Sequence, residues 1–243
     1  MKLYAVIPTH NRPAELAQLL ATIGPEVQVL ATIGPEVQVL VIDNASTPPI
    51  EYNAEYRYVR RVTVMRDEEQ PPNLSRLWNL GLDWAQRLRF VEHATGSDDT
   101  EEWAVAILND DVLLSPGLLQ HLADELTAHD VDIAFPGSTG LPCYVNKGDP
   151  FPGVGLRLRG WCFVVRGSSG LRADESLRWW CGDDDLQAQA VENGRGTVSV
   201  RLSQKMDAGL WHKHPDESTT GALREQTEKD MATFVAKWGR RPW

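Results

Sequence analysis

The sequence predicts an α/β fold in which a mixed, mainly parallel sheet is flanked by helices within one domain. Short apolar runs of strand length alternate along the chain with longer segments whose apolar residues recur at helical spacing. Such alternation produces parallel strands joined by crossover helices on both faces of the sheet. With 243 residues, 42% of them apolar, the chain is long enough for the core of one such domain.

The first half of the chain supplies three strand–helix pairs. The predicted strands are 3–8, 37–44 and 103–108, and the predicted helices are 12–23, 73–88 and 115–129. Pro13 suits the first turn of the first helix, while Asn73 and Ser115 suit the caps of the second and third. The apolar stripe predicted for the second helix consists of Leu77, Leu80, Trp84 and Leu88.

A short tandem repeat interrupts this half. ATIGPEVQVL stands at 21–30 and again, without change, at 31–40. A solenoid needs at least three units, so we interpret the repeat as a recent duplication or a cloning artefact. Only the second copy runs directly into Asp43, so we expect it to supply the strand. Gly24 and Pro25 are expected to end the first helix, leaving the first copy as an excursion.

The second half has fewer long elements. Residues 161–167 predict a strand, 183–194 a helix that ends at Gly194, and the segment from Thr219 a last helix. The apolar stripe of this last helix is Met231, Phe234, Val235 and Trp238, and the pattern allows packing on the body or contact with a partner. No linker divides the chain into independent domains.

Composition limits the partners and the compartment. The net charge of −10 argues against binding nucleic acid through the overall field, although a local basic patch would still allow it. Cys143, Cys162 and Cys181 form no CxxC pair, which fits a reducing cytoplasm. No apolar run reaches the length of a membrane span, and the N-terminal run is stopped by Pro8, too early for a signal peptide. We therefore expect a cytoplasmic protein.

Polar residues follow three of the predicted strands. They are PTHNR at 8–12, DNAST at 43–47 and NDD at 109–111. Ligands of open parallel sheets bind at the carboxyl ends of the strands, so these segments predict a polar cleft with one acidic corner. Adjacent carboxylates repel each other and resist burial, and a divalent ion with oxygen ligands would relieve both costs.

The order of these motifs resembles the family 2 glycosyltransferases of the Rossmann-like GT-A fold, which transfer a sugar from a nucleotide donor. The matching segments are VIPTHNRP, VLVIDNAST, NLSRLWNLGLDWA, ILNDDVLLSPGLL and the acidic stretch around GDDDL. The resemblance implies a nucleotide-sugar-binding half at 1–115 and an acceptor and catalytic half at 116–243. It also implies a hexosyltransferase-like enzyme with a UDP-sugar as the default donor. The implied donor contacts are Pro8, Thr9, Asn11, Arg12, Asp43, Asn73, Asn79 and Asp110.

The resemblance further implies a divalent metal, Mn²⁺ or Mg²⁺, on the donor diphosphate. The aspartate motif of the family usually has Asp at its first and third positions, whereas Asn109 stands first here. The neutral Asn109 is the weaker ligand, so Asp111 is the main predicted ligand. Family members often add a histidine near the C-terminus. His212 is favoured over His214 because it directly follows an apolar pair.

The stretch GDDDL resembles the family's Glu-Asp-x-Asp-Leu pattern, with Gly182 where Glu is usual. Inverting sugar transfer needs one general base for the acceptor hydroxyl. The resemblance assigns this role to Asp183, with Asp184 as the alternative, and we expect Asp185 to cap the helix.

The acceptor side of the site is less defined. Trp179 and Trp180 could stack on an acceptor sugar or simply pack, and Gly160 would allow close backbone approach to the sugar. We expect a soluble hydroxyl acceptor: a protein side chain, a glycan, a small molecule or a modified DNA base. The departures at Asn109 and Gly182 leave open a sugar-nucleotide-binding protein without catalysis. A nucleotidyltransferase would need a glycine-rich basic loop near the N-terminus, which PTHNRP does not provide.

Overall fold

The structure, a computed structural model, describes most of the chain. The described residues are 1–23, 37–51, 62–95, 102–137, 142–153, 156–201, 211–212 and 221–242. The strands are β1 Lys2–Thr9, β2 Gln38–Asn44, β3 Val62–Asp67, β4 Trp103–Leu108, β5 Val112–Leu113, β6 Ile133–Pro136, β7 Tyr144–Asn146, β8 Cys162–Arg166, β9 Thr197–Val200 and β10 Trp211–His212. The helices are α1 Pro13–Ile23, α2 Leu74–Ala94, α3 Leu118–His129, α4 Gly182–Glu192 and α5 Gly221–Trp238, with a 3-10 turn at Gly167–Ser169.

Eight of the described strands form one mixed sheet in the order β3-β2-β1-β4-β8-β6-β9-β7. The β1–β2, β2–β3, β1–β4 and β6–β9 pairs are parallel, while β8 is antiparallel to both of its neighbours and β7 is antiparallel to β9. The predicted α/β class, with a mainly parallel sheet and flanking helices, is confirmed. The sequence did not predict β3, β6, β7 or β9 as strands, because these runs are short or only partly buried.

The core lies on both faces of the sheet, as expected for parallel strands buried on both sides. Alternate side chains of β1 point to opposite faces: Leu3 and Ile7 join the cluster with α1 and α3, whereas Tyr4 and Val6 join the cluster with α2 and α4. This arrangement leaves the carboxyl ends of the strands open to a ligand.

The helices depart from the predictions at their faces and ends. The buried face of α2 is Leu77, Trp78, Leu82 and Ala85, with Leu80, Trp84 and Leu88 only partly buried beside it. Gly81 lies on this face, where an added Cβ would lie 2.3 Å from a methyl carbon of Val6. The close packing of α2 on β1 therefore requires glycine at this position. Helix α3 begins at Leu118 after Gly117, so the predicted cap at Ser115 is wrong.

The last helix, α5, packs on the body of the protein. Phe234 is fully buried with Leu177 and Cys181, and Met231 and Trp238 pack against this cluster. Strand β2 begins within the second copy of the tandem repeat, as expected, while residues 24–36, including Gly24, Pro25 and the rest of the first copy, lie outside the described residues. Within the described part of the chain, no helix is both long enough and apolar enough to span a membrane.

Candidate active site

A cavity of about 810 Å³ opens at the carboxyl ends of β1 and β4. Five segments supply most of its lining: the β1–α1 turn 8–12, the start of α2, residues 109–111, the turn before β8 at 157–161, and 179–183. The predicted site residues that line it are Pro8, Thr9, Asn11, Arg12, Asn109, Asp110, Asp111, Gly160, Trp179, Trp180 and Asp183. This position is the one at which open α/β sheets bind ligands.

Two carboxylates form the acidic corner of the cavity. Asp110 and Asp111 are 5% and 2% exposed. The Thr9 hydroxyl donates to Asp110 Oδ2 at 2.8 Å, and Arg12 Nη1 lies 3.2 Å from Asp110 Oδ1 and 3.5 Å from Asp111 Oδ2. Burial raises the pKa of Asp110, and Thr9 and Arg12 oppose that rise. The β1–α1 turn thus supplies both a hydroxyl and a positive charge to the corner.

The β1–α1 turn is held in place by the loop after β2. Asn11 has a left-handed backbone (φ 54°), and its backbone N–H donates to Ser46 Oγ at 2.9 Å. Its side-chain oxygen accepts from the backbone N–H of Thr47 at 2.7 Å. These bonds fix the direction from which Arg12 enters the cavity.

The donor set of the acidic corner fits a hard divalent ion. Asp110 and Asp111 bring carboxylate oxygens together, and Asn109 adds a carbonyl oxygen on the same lining. Strand β10 pairs antiparallel with β5 and places the backbone of His212 opposite Val112, the residue after Asp111. His212 therefore reaches this part of the fold, whereas His214 lies outside the described residues.

The three acids at the start of α4 have different surroundings. Asp183 lines the cavity, where its Oδ2 accepts from the backbone N–H of Gly160 at 2.8 Å. Asp184 is 3% exposed, and both of its oxygens bind the Arg157 guanidinium, with 2.9 Å from Nη2 to Oδ2. Burial raises the pKa of both Asp183 and Asp184, and the charge of Arg157 opposes the rise in each. The alternative base, Asp184, thus faces its arginine instead of the cavity.

Asp185 does not cap α4, contrary to the prediction. The helix begins at Gly182 after Cys181, which has a left-handed backbone (φ 63°) and makes no side-chain cap. Asp185 instead accepts from Trp238 Nε1 at 2.8 Å and pairs with Lys237 Nζ at 2.8 Å. It therefore joins α4 to α5, because as the third acid it already lies one turn inside the helix.

Gly160, Trp179 and Trp180 line the cavity together with Asp183. A Cβ on Gly160 would lie 3.3 Å from the Trp78 ring and 3.4 Å from Asp183 Oδ2, so the glycine lets the backbone approach the carboxylate closely. The backbone N–H groups of Trp179 and Trp180 donate to Asp230 Oδ2 at 2.6 and 2.7 Å.

Asp230 is a buried positioning residue that the sequence analysis missed. It is fully buried on α5, and its other oxygen accepts from the backbone N–H of Arg178 at 3.2 Å. Asp230 directly precedes Met231, which belongs to the predicted apolar stripe of this helix. That position was a sign that the carboxylate could be buried, and a buried carboxylate needs hydrogen-bond donors. Arg157 and Trp78 were also missed, because only the tertiary structure brings them to the cavity.

Three predicted donor contacts hold loops and do not line the cavity. Asp43 pairs with Arg66 Nη1 at 2.6 Å and accepts from the backbone of Ser46 and Ile50. Asn73 caps α2 and donates to the Glu175 carbonyl, and Asn79 bonds both backbone groups of Ala173. The structure therefore assigns their polar groups to the loop after β2 and to segment 173–175. Asn44, next to Asp43, does line the cavity.

Comparison with protein families agrees with this geometry. The model described as glycosyl transferase family 2 matches residues 4–141, more than half of the chain. The chain therefore belongs to glycosyl transferase family 2. No curated protein sequence matches it.

The fold is similar to that of several solved structures. With S. aureus TarS 1-349 in complex with UDP-GlcNAc, the chain shares 14% identity and a TM-score of 0.61, covering 99% of this chain and 67% of that one. With the mannosyltransferase PcManGT from Pyrobaculum calidifontis in complex with GDP-Man and Mn²⁺, it shares 14% identity and a TM-score of 0.50, covering 99% and 76%. With another structure of S. aureus TarS 1-349, it shares 15% identity and a TM-score of 0.53, and the match covers 84% of this chain and 59% of that one. The predicted GT-A fold is confirmed.

Proposed function

We propose that this protein is a metal-dependent, inverting glycosyltransferase that moves a sugar from a nucleoside-diphosphate donor to a hydroxyl acceptor. The observation that carries the proposal is that the Asp110–Asp111 corner and the Asp183 carboxylate line one cavity. The Asp110–Asp111 corner would bind the cation that accompanies a diphosphate, and Asp183 would accept a proton. Membership of glycosyl transferase family 2 supports the same reaction class.

The donor would enter between the β1–α1 turn and the acidic corner. Pro8, Thr9 and Asn11 line this side of the cavity, and Asn44 lies beside them. Solved structures of this fold hold UDP-GlcNAc and GDP-Man, which supports a nucleotide sugar here. A UDP-sugar is the default donor for the first experiments.

Asp111, with Asp110, Asn109 and His212, would hold the divalent ion, Mn²⁺ or Mg²⁺. When bound, such an ion neutralises the charge that grows on the diphosphate as the sugar leaves. PcManGT, solved with Mn²⁺, supports this assignment. Arg12 already brings one positive charge to the two carboxylates and would also face the diphosphate.

Asp183 would act as the general base. It takes the proton of the acceptor hydroxyl, the acceptor oxygen forms the new bond at the anomeric carbon, and the bond from that carbon to the diphosphate oxygen breaks. The nucleoside diphosphate leaves from the opposite face, so the configuration inverts. Burial raises the pKa of Asp183, and this makes its carboxylate a stronger base than an exposed aspartate.

Trp179, Trp180 and Gly160 line the cavity together with the proposed base and would form the acceptor side. The acceptor would be a hydroxyl compound: a protein side chain, a glycan or a small molecule, with a modified DNA base as the least favoured choice given the charge of −10. The three cysteines are free thiols, which supports the cytoplasmic location expected from the sequence.

A thermal-shift panel with UDP, GDP, TDP and CDP sugars, each with and without Mn²⁺, tests binding and metal use together. One donor class is expected to raise Tm in the presence of Mn²⁺, because a ligand that binds only the folded state stabilises it. If none of the donors raised Tm, with or without Mn²⁺, the proposal would be refuted.

Turnover then separates an enzyme from the second candidate, a sugar-nucleotide-binding protein without catalysis. The departures at Asn109 and Gly182 favour that candidate, and it predicts a Tm rise without donor turnover. For an enzyme, Asp183→Asn should keep the Tm rise but lower transfer by about 10²- to 10⁴-fold. Asp83→Asn, which removes an acid on α2 outside the cavity lining, is the matched control and should transfer normally.

A further inference from the structure

Three side chains with different donor atoms meet at the last turns of α3, away from the cavity lining. Glu125 and His129 lie one helical turn apart on α3, and Cys143 stands directly before β7. Helix α3 packs on β6 and β9, and β7 pairs with β9, so the sheet brings Cys143 to the last turns of α3. The three ligand atoms all lie within 4.8 Å of one another.

The distances match those of a small tetrahedral site. His129 Nε2 lies 3.0 Å from Glu125 Oε2, and Cys143 Sγ lies 3.9 Å from His129 Nε2 and 4.0 Å from Glu125 Oε2. Zinc bond lengths at tetrahedral angles place such ligand atoms about 3.4 to 3.6 Å apart. Each pair is therefore within roughly half an ångström of the ideal separation, a shift that side-chain rotation can supply.

We propose that Glu125, His129 and Cys143 form a binding site for a zinc-class divalent cation, separate from the proposed donor site. The sulfur, nitrogen and carboxylate donors suit Zn²⁺ or Co²⁺, whereas the all-oxygen corner at Asp111 suits Mg²⁺ or Mn²⁺. Three protein ligands leave a fourth position for water, and Cys143 is exposed, so an ion can enter from solvent.

Binding releases a proton from the cysteine. Burial and the Glu125 charge raise the pKa of the Cys143 thiol, so the thiol is protonated in the metal-free protein. The sulfur–metal bond forms as the thiol proton passes to solvent, while His129 binds as neutral imidazole. The backbone of Arg201 lowers the pKa of this thiol and partly opposes that rise.

The bound ion would join α3 to the edge strand β7. It would link His129 to Cys143 outside the lining of the cavity. We therefore expect the ion to stabilise the fold and to leave sugar transfer unchanged.

Co²⁺ titration of the full chain tests the site through its spectrum. Wild type is expected to show, on binding Co²⁺ at this site, a thiolate-to-cobalt charge-transfer band and the visible bands of a tetrahedral ion. Cys143→Ala should lose the charge-transfer band. A wild-type chain without that band, or a band that persists in Cys143→Ala, would overturn the proposal.

Three further variants test whether binding depends on these ligands, on negative charge in general, or on the cavity. Glu125→Gln should weaken Co²⁺ binding, while Asp124→Asn, which removes an equal charge from the neighbouring position of α3, should not. Asp111→Asn should keep the cobalt band and the Tm rise produced by Zn²⁺. A Zn²⁺-induced Tm rise that disappears in Asp111→Asn but survives in Cys143→Ala would place the ion in the cavity and refute the proposal.

Discussion

Asp183 and Asp184 are neighbours in the chain, yet they have different chemical surroundings. Asp183 faces the cavity and accepts two backbone N–H groups, from Gly160 and from Asp184. Asp184 lies behind it, paired through both oxygens with Arg157. Pairs of acids with unlike environments are the usual way for one site to obtain a base with a raised pKa at neutral pH. Arg157 binds the Asp184 carboxylate, and its charge also lowers the pKa of Asp183.

Arg157→Gln is predicted to move the acidic limb of the kcat/KM–pH profile to higher pH. The Arg157 charge lowers the pKa of Asp183, so its removal raises that pKa further, and the base is protonated at higher pH. Initial rates across a pH series measure the limb. Arg172→Gln, which breaks the exposed pair with Asp83, is the control, and an unmoved limb in Arg157→Gln would contradict the assignment of Asp183.

At the scale of elements, two contacts fix the geometry of the site. Helix α2 approaches β1 at Gly81, and this approach puts Trp78 and Ser75 on the cavity wall. Helix α5 supplies Asp230, whose carboxylate receives the backbone N–H groups of 178–180. Both helices therefore position cavity residues that belong to other parts of the chain.

Gly81→Ala is predicted to destabilise the protein by about 1–3 kcal/mol, because the new methyl group would overlap Val6. The cost should exceed the gain of about 1 kcal/mol that alanine normally brings to a helix interior. Urea unfolding measures the difference. The double variant Val6→Ala/Gly81→Ala should recover part of the lost stability, and no recovery would mean that the Val6 contact is not the cause.

Asp230→Ala is predicted to cost about 3 kcal/mol of stability, because the backbone donors of 178–180 would lose a buried acceptor. The loosened Trp179–Trp180 segment should also raise the acceptor KM, while donor affinity stays unchanged. Unfolding curves and separate donor and acceptor titrations provide the readouts. Glu228→Gln, on the exposed side of α5, is the control, and an unchanged acceptor KM in Asp230→Ala would argue that these tryptophans only pack.

At the scale of the whole molecule, the sheet brings distant segments of the chain to one cavity. Strands β1 and β4 are adjacent and parallel, so Thr9 and Asp110 meet although 101 residues separate them. Strand β8 joins β4 antiparallel, which brings the turn 157–161 to the same edge. The order of the strands thus brings the acidic corner next to the turn 157–161, where Gly160 binds the Asp183 carboxylate.

Removal of divalent ions by EDTA is predicted to abolish sugar transfer, with recovery on addition of Mn²⁺ or Mg²⁺. The reason is that the donor diphosphate and the buried pair Asp110–Asp111 are all negative and need a shared cation. Initial rates with and without chelator measure the effect. Transfer that is indifferent to EDTA would remove the metal from the mechanism and leave Arg12 as the positive group at this corner.

Much of the framework followed from the sequence. The apolar runs and helical stripes predicted β1, β2, β4, β8 and the described helices α1 to α5, because burial on a sheet face imposes a local periodicity. The short strands β6, β7 and β9 were missed, since four or fewer residues carry too little pattern. The bonds of Asn73 and Asn79 to segment 173–175 could not be predicted either, because these partners lie far along the chain.

The sequence by itself determined that acids follow apolar strands and that three more acids begin a helix, since these are local facts of composition and spacing. Only the tertiary structure decided which acid does what: Asp183 faces the cavity, Asp184 binds Arg157, and Asp185 binds Trp238 and Lys237. The physical reason is that successive helical residues point about 100° apart. Their partners come from segments that local sequence patterns cannot place.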